Sequence, residues 1–355
     1  MKTAVVILNW NGLQHKLLPH YLPSVVEHTP ANQADVIVAD NGSEDDSLAW
    51  IAEQYPSVRS MPLGNNLGFA EGYNRAIAQL AQEGYEVVVL LNDDVRVSPH
   101  WLDPMLVYLE HNPKCAGLQP KLLKDWSFDG IESKPATFEY AGACGGYLDS
   151  MCYPYCRGRI FDTVEVDLGQ YDLPEGVAWE VMWATGACLM VRTSLYLHAG
   201  GLDMHFFAHM EEIDLCWRLR RMGYTLACVP QSVVYHKGGA SLPMDDPRKT
   251  KLNFRNSLLM MWKNLPAKGR SRKLFGRMLL DGVAALNFLL HGKPQHVAAI
   301  WHAHREARQM QLAKYPQGNY FKGFGQAKQF PEEGRSILWE YYVKGVNKFG
   351  ALNAF

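Results

Sequence analysis

The run Val87-Val88-Val89-Leu90-Leu91 ends in Asn92-Asp93-Asp94. A continuous apolar run rich in β-branched residues reads as a strand buried on both faces. An amide and two carboxylates then stop it, because a core does not accept such groups unpaired. Carboxylate oxygens this close suit a hard divalent cation, and a cation there suits a phosphate-bearing ligand. A turn with solvated aspartates accounts for the same residues, and the stretch alone does not choose. A second acidic set, Glu211-Glu212-Ile213-Asp214, follows the aromatic pair Phe206-Phe207. From Glu212 a helix is expected, with acids in its first turn and Arg218 and Arg220 in its last, which suits the helix dipole. Asp214 can pair with Arg218 four residues on, an ordinary helical contact. A carboxylate set among aromatics has a raised pKa and can act as a base, which singles out Glu211 and Glu212. His236 closes the run Val233-Val234-Tyr235 just before Gly238-Gly239. A lone histidine is often a core residue, but a strand end beside glycines favours a site.

These residues need elements to hold them. Strands are expected at Ala4–Leu8, Val36–Ala39, Val58–Met61 and Val87–Leu91, with helices to about His28, to about Tyr55 and over Glu71–Glu83. Ser43 with Asp46 marks a helix start. Strand and helix alternating in this way specify an α/β fold, a parallel sheet with helices on both faces. Asn9, Asp40 and Asn92 then end three strands at one sheet edge, where open α/β sheets bind ligands. Asn11-Gly12 and Asn41-Gly42 would form turns in any case. Three polar endings on one edge are better explained by a polar ligand lying across them. Asp40 can accept from a base or ribose, and Asn65, Asn66 and Gly68 offer donors and close backbone approach. No Gly-x-Gly-x-x-Gly follows the first strand, so dinucleotide and P-loop readings lose their support.

Further on, a helix is expected over Pro99–His111 and a strand over Cys115–Leu118. Residues 121–178 are rich in Gly, Tyr and Cys with weak periodicity, and read as an excursion of short strands and loops packed over the sheet. Ala184-Thr185-Gly186-Ala187 leads into a buried strand, and Gly186 would let a ligand approach the backbone. Strands at Tyr224–Val229 and Val233–Tyr235 follow. Helices are expected over 252–264, 273–290 and 296–314, and a docking helix around Trp339–Tyr342.

The chain of 355 residues is long enough for one large domain and an appendage. A net charge of −1 argues against a general nucleic-acid binder. Seven cysteines without a second close pair to match Cys152 and Cys156 argue against zinc and a disulfide framework. Reduced thiols and a strand at the very start lead to the expectation of a cytoplasmic chain without a signal peptide. Leu274–Leu290 is apolar but broken by Arg277 and Asp281, so it falls short of a membrane span. Arg248–Arg277 holds ten Lys/Arg and no Asp/Glu. Interleaved with Phe254, Leu258, Met260, Met261, Trp262, Leu274 and Phe275, these cations lead to the expectation of contact with an anionic membrane surface.

Asn9-Trp10-Asn11-Gly12, Asp40-Asn41-Gly42-Ser43, Asn65-Asn66-Leu67-Gly68-Phe69-Ala70, Leu91-Asn92-Asp93-Asp94, Gly186-Ala187-Cys188-Leu189, Phe206-Phe207 through Glu211-Glu212-Ile213-Asp214-Leu215-Cys216-Trp217-Arg218, and His236 form one ordered set. In this order the chain resembles the inverting family 2 glycosyltransferases, in particular the rhamnosyl- and galactofuranosyltransferase-like branch. The resemblance implies a GT-A fold, a Rossmann-like mostly parallel sheet with helices on both faces, over residues 1–243, with a nucleotide-binding half (1–120), an insertion (121–180) and an acceptor and base half (181–243). A basic, mainly helical region (244–355) would follow. It implies that Asn9, Asn11, Asp40, Asn41, Asn66, Gly68, Asn74, Asn92 and Asp93 bind a UDP- or dTDP-sugar, and that Asp94 and His236 hold Mg²⁺ or Mn²⁺. Glu212 falls where the family places its base, usually an Asp, with Glu211 beside it. Gly186, Ala187, Asp214 and Trp217 would line an acceptor or sugar pocket. The acceptor would be a glycan or lipid-linked glycan of cell-surface polysaccharide synthesis, met at the inner face of the cell membrane. A sugar-nucleotide-forming nucleotidyltransferase would want a Gly-rich basic loop after the first strand, which is missing. A non-catalytic sugar-nucleotide binding protein would not need both an acid pair and a metal set.

Overall fold

Alternation along the first strands decides the architecture. In β1 (Thr3–Asn9), Ala4 and Val6 point to one side and Val5 and Ile7 to the other, all buried. The computed structural model describes residues 1–131, 134–238, 245–315 and 334–352. The chain then runs through α1 (Leu17–His28), β2 (Asp35–Asp40), α2 (Ser47–Gln54), β3 (Arg59–Pro62), α3 (Gly68–Gln82) and β4 (Val87–Asn92). β1 pairs in parallel with β2 and β4, and β2 with β3. Val88 and Leu90 of β4 meet Tyr73, Ile77 and Leu80 of α3 in one core, while Val89 and Leu91 meet Leu18 and Leu22 of α1 in the other. Helices therefore cover both faces, as the sequence pattern requires.

The second half is mixed. β5 (Val95–Val97), α4 (Asp103–His111) and β6 (Cys115–Lys124) follow. β6 runs past Leu118, where the insertion was expected to begin soon after. Lys121 hides the continuation in the sequence; it lies along the strand and pairs with Asp167 and Asp172 at 2.8 and 2.7 Å. The insertion folds as a small antiparallel sheet of β7 (Gly146–Leu148), β8 (Pro154–Cys156), β9 (Arg159–Ile160) and β10 (Thr163–Val164). β11 (Trp179–Val181) and β12 (Cys188–Arg192) return to the main sheet. β12 enters antiparallel between β4 and β6. α5 (Thr193–His198), α6 (Glu211–Arg221) and β13 (Thr225–His236) complete this half. The two strands expected at 224–235 are one, β13, with a register shift between Val229 and Val233 around Pro230.

Three helices follow: α7 (Pro247–Asn264), α8 (Ala267–Leu290), which is broken at Lys268–Gly269, and α9 (Pro294–Ala313). Leu258–Met261 of α7 extend the core that α3 and α6 share. Around Trp339–Tyr342 the chain makes one helical turn that docks on the insertion: Tyr341 bonds Thr163 at 2.8 Å, and Phe349 packs on Tyr147 and Tyr155. Residues 239–241 and 324–333, part of the sequence reading, lie outside the described residues.

Candidate active site

The ends of β1 and β2 lock together. Asn9 Nδ2 donates to Asp40 Oδ1 at 2.9 Å, and the Ser43 hydroxyl and N–H donate to the same carboxylate at 2.6 and 3.1 Å. Asn11 Oδ1 accepts from the Glu44 N–H at 2.7 Å. Asp40 is 3 % exposed. Its carboxylate thus orders the loop and is not held free at the surface. Beside it Trp10 is 47 % exposed, a flat aromatic face that the sequence reading did not single out. Asn41 reaches the next loop, donating to Asn66 Oδ1 at 3.2 Å and accepting from Leu67 N–H at 3.0 Å. Gly42, at φ +75°, is required there: a Cβ would stand 2.6 Å from the Asn65 backbone. Gly68 opens α3, earlier than the expected start at Glu71, with free space where a Cβ would be.

At the end of β4 the Asn92 N–H donates to the Ala187 carbonyl at 3.0 Å. Asp93 is pushed up to about 8, first by burial and then by the charge of Asp94. Asp94 goes the other way. Burial would raise it, but the charge and hydrogen bond of His236 and the Gly238 N–H together bring it below the usual carboxylate range. His236 Nε2 lies 3.0 Å from Asp94 Oδ1, and Nδ1 lies 3.4 Å from Glu139 Oε2. Burial works against the imidazolium, yet the two carboxylates hold its pKa well above the ordinary value. Glu139 comes from the insertion, which the sequence reading treated as packing; only its place among aromatics hinted otherwise. Hard oxygens, an imidazole and an excess of negative charge fit a divalent cation. Among the described residues no three His, Cys, Asp or Glu form a ready ligand set. Asp94 and His236 touch each other at 3.0 Å, so a cation held by both would take the place of that contact.

Glu211 and Glu212 start α6. The preceding residues Phe207, His209 and Met210 all have φ near +70°, an uncommon and costly backbone for residues with a Cβ. Helix α7 holds that segment in place. Asn256 Nδ2 shares its two hydrogens among the carbonyls of Phe206, Ala208 and His209 at 2.8–2.9 Å, and Arg255 reaches Phe206 O at 2.8 Å. Glu211 is buried, its Oε2 has no hydrogen-bond partner among the described residues, and burial followed by the charge of Glu212 raises its pKa well above the usual range. Glu212 is half-buried and pushed up to about 7 by burial, held back by backbone N–H groups at the helix start. A Cβ added at Gly186 would sit 3.6 Å from Glu212 Cβ and 3.4 Å from Phe69. Gly186, Ala187, Asn92 and Glu212 are thus neighbours, although they come from three elements.

Three expected site residues stand elsewhere. Asp214 is fully buried and accepts from Arg218, Lys263 and Asn264 at 2.9, 2.7 and 2.8 Å, so it ties α6 to α7. Trp217, one turn on, is a core side chain. Asn74 spends its amide on both backbone groups of Leu202 and on Tyr196. Helical period explains all three: they face neighbouring elements and not the strand ends.

Comparison with known proteins agrees with this fold. Residues 4–165 match the family model described as "Glycosyl transferase family 2". The chain is 30% identical over 220 residues to the N-acetylglucosaminyl-diphospho-decaprenol L-rhamnosyltransferase of Mycobacterium tuberculosis, covering 59% of this chain and 68% of that protein. It resembles S. aureus TarS 1–349 in complex with UDP-GlcNAc (TM-score 0.50, 16% identity, 95% of this chain and 98% of the other). It also resembles the Pyrobaculum calidifontis mannosyltransferase PcManGT in complex with GDP-Man and Mn²⁺ (TM-score 0.50, 14% identity, 89% and 79%). The chain belongs to glycosyltransferase family 2 and has the GT-A fold. Its match to a rhamnosyltransferase accords with the branch that its motifs resemble.

Proposed function

We propose that this glycosyltransferase moves a sugar from a UDP- or dTDP-sugar, with inversion, to a hydroxyl of a glycan or lipid-linked glycan acceptor in cell-surface polysaccharide synthesis. One observation carries the reading: Glu212, titrating near 7, sits against Gly186, whose neighbour Ala187 is bonded to Asn92 at the head of the Asp93–Asp94 pair. A proton acceptor and an anionic, metal-compatible strand end are thereby set across one backbone bridge. Glu212 takes the proton of the acceptor hydroxyl as its oxygen attacks the anomeric carbon. The bond from that carbon to the diphosphate breaks, and its electron pair leaves with the nucleoside diphosphate. Attack from the opposite face inverts the anomeric centre, and no covalent intermediate is needed. Asp94 and His236 are the residues that would hold Mg²⁺ or Mn²⁺, which when bound neutralises charge on the departing diphosphate. The loops of Asn11, Asp40, Asn41 and Asn66 shape the nucleotide end, with Trp10 offering a face for the base.

Glu211 is more deeply buried than Glu212, and burial with the Glu212 charge holds its pKa well above the ordinary carboxylate range, so the base role is assigned to Glu212. The relative of known activity named above acts on a lipid-linked N-acetylglucosamine, which supports a lipid-linked acceptor here. Such an acceptor would bring the enzyme to a membrane surface; no helix among the described residues is long and apolar enough to cross one. A thermal-shift screen of UDP- and dTDP-sugars with Mn²⁺ tests the donor reading, because a matched donor stabilises the fold by mass action. A shift with one such donor, followed by release of its nucleoside diphosphate when acceptor is added, is expected. No shift with any of them contradicts the reading.

A further inference from the structure

Helix α8 is built inside out. Its buried face carries Leu274 and the ion pair of Arg277 Nε with Asp281 Oδ1 at 3.0 Å. Asp281 also accepts from His304 at 2.9 Å, and the Arg277 guanidinium lies 3.5 Å from the Tyr153 ring centroid. The outward face carries Phe275, Met278, Leu279, Val283, Leu286 and Leu290, all exposed, from 43 % at Met278 to 77 % at Leu290. At 100° per residue these six fall within an arc of about 140°. An ordinary surface helix does the reverse, and a contiguous apolar face of this kind marks a contact that the described residues do not make.

Charge says what the contact is. The ten cations expected to meet an anionic membrane surface do not share one face: Arg255, Lys263 and Arg277 are buried, Arg248 pairs with Asp246 and Lys251 with Glu306. Likewise Leu258, Met260 and Met261, expected at the surface, lie in the core. Lys268 and Arg272 stay exposed, and they flank the start of the apolar face of α8. The only acid of α8 is Asp281, which points inward and is fully buried. A second copy of this helix would therefore bring apolar surface but no anion to meet Lys268 and Arg272.

We infer that the outward face of α8 lies in the surface of an anionic lipid bilayer, its leucines and Phe275 below the headgroups and Lys268 and Arg272 among the phosphates. The helix lies on the membrane and does not span it. The inference deepens the lipid-linked acceptor reading, but vesicle binding needs neither donor nor acceptor, so either can fail without the other.

The test is flotation of the full chain with phosphatidylcholine vesicles and with phosphatidylcholine–phosphatidylglycerol vesicles, at low and high salt, with light scattering for oligomeric state. Flotation with the anionic vesicles, weakened by salt, is expected. Phe275→Glu with Leu286→Glu should lower it at least about tenfold. Because both residues are exposed, melting temperature and soluble-acceptor turnover should stay unchanged. Lys268→Glu with Arg272→Glu should abolish the preference for anionic lipid. Equal binding to neutral vesicles overturns the inference. So does a dimer that the Phe275/Leu286 variant dissolves while no vesicle is bound, and so does a monomer that floats with neither.

Discussion

The backbone N–H of Asn92 donates to the carbonyl of Ala187 at 3.0 Å. This bond joins the tip of β4 to the loop before β12, and Gly186 in that loop faces Glu212 and Phe69. Backbone thus links the acidic strand end to the point where the Glu212 side chain begins. Gly186 tests it directly. An added methyl group would make ordinary contacts at 3.4 and 3.6 Å, so Gly186→Ala should keep turnover within about threefold. Gly186→Leu should displace Glu212 and cut kcat at least about tenfold, with nucleotide affinity kept, by steady-state kinetics and calorimetry. Equal activity in both variants would show that Gly186 does not border the reacting groups.

Asn256 links the C-terminal helices to the same centre. It holds three carbonyls of the strained turn before Glu211. Asn256→Ala should destabilise the protein by about 1–3 kcal/mol, because buried carbonyls lose their donor. It should also lower kcat more than donor affinity. Hydrogen exchange over residues 205–211 checks the cause: faster exchange there is expected, and unchanged exchange would contradict the positioning role.

Metal removal separates the donor end. With Asp94→Asn or His236→Ala, donor affinity should no longer respond to Mn²⁺, while the wild type should gain at least about tenfold from it. Calorimetry with and without chelator measures both. A full Mn²⁺ response in either variant would move the cation elsewhere.

Much of this was readable from residue order. β1 and β4 are plain because burial on both faces leaves a continuous β-branched run, and the loops after Asn9, Asp40 and Asn92 were placed together correctly. The direction of β12 was not readable, since a buried apolar strand looks the same parallel or antiparallel. Glu139 was missed because its partner His236 is distant in sequence and joins it only when the insertion folds back. Asp214 and Trp217 share a helix with Glu212, and sequence proximity overstated their reach. A signal for Asn256 was present: Arg255-Asn256-Ser257 interrupts an otherwise apolar helix, which a buried helix tolerates only where those groups have partners. In α8 the helix and its failure to span a membrane were readable, but not that Arg277 and Asp281, which break the apolar run, are the part that turns inward.

The pH dependence of stability follows from the same acid pair. Glu212 binds its proton more tightly folded than unfolded, so its protonated form favours the native state. That contribution is fully present below the ordinary carboxylate range, near 4.5, and is lost as pH rises through about 7. Glu211, also raised, acts in the same direction. Wild-type melting temperature should fall over this window, and Glu212→Gln should flatten the fall. A melting temperature that rises with pH there, with the variant unchanged, would place Glu212 in solvent.

The pH–rate profile of wild type beside Glu211→Gln and Glu212→Gln tests the central claim most directly, with donor affinity measured in parallel. The wild-type kcat should drop about tenfold per unit below a limb near 7, where Glu212 takes up its proton. Glu211→Gln, which mimics a protonated acid, should keep that limb, while Glu212→Gln should lose about 10²–10⁴ in kcat with donor affinity kept. A Glu212→Gln enzyme that turns over normally with the limb still in place would contradict the account.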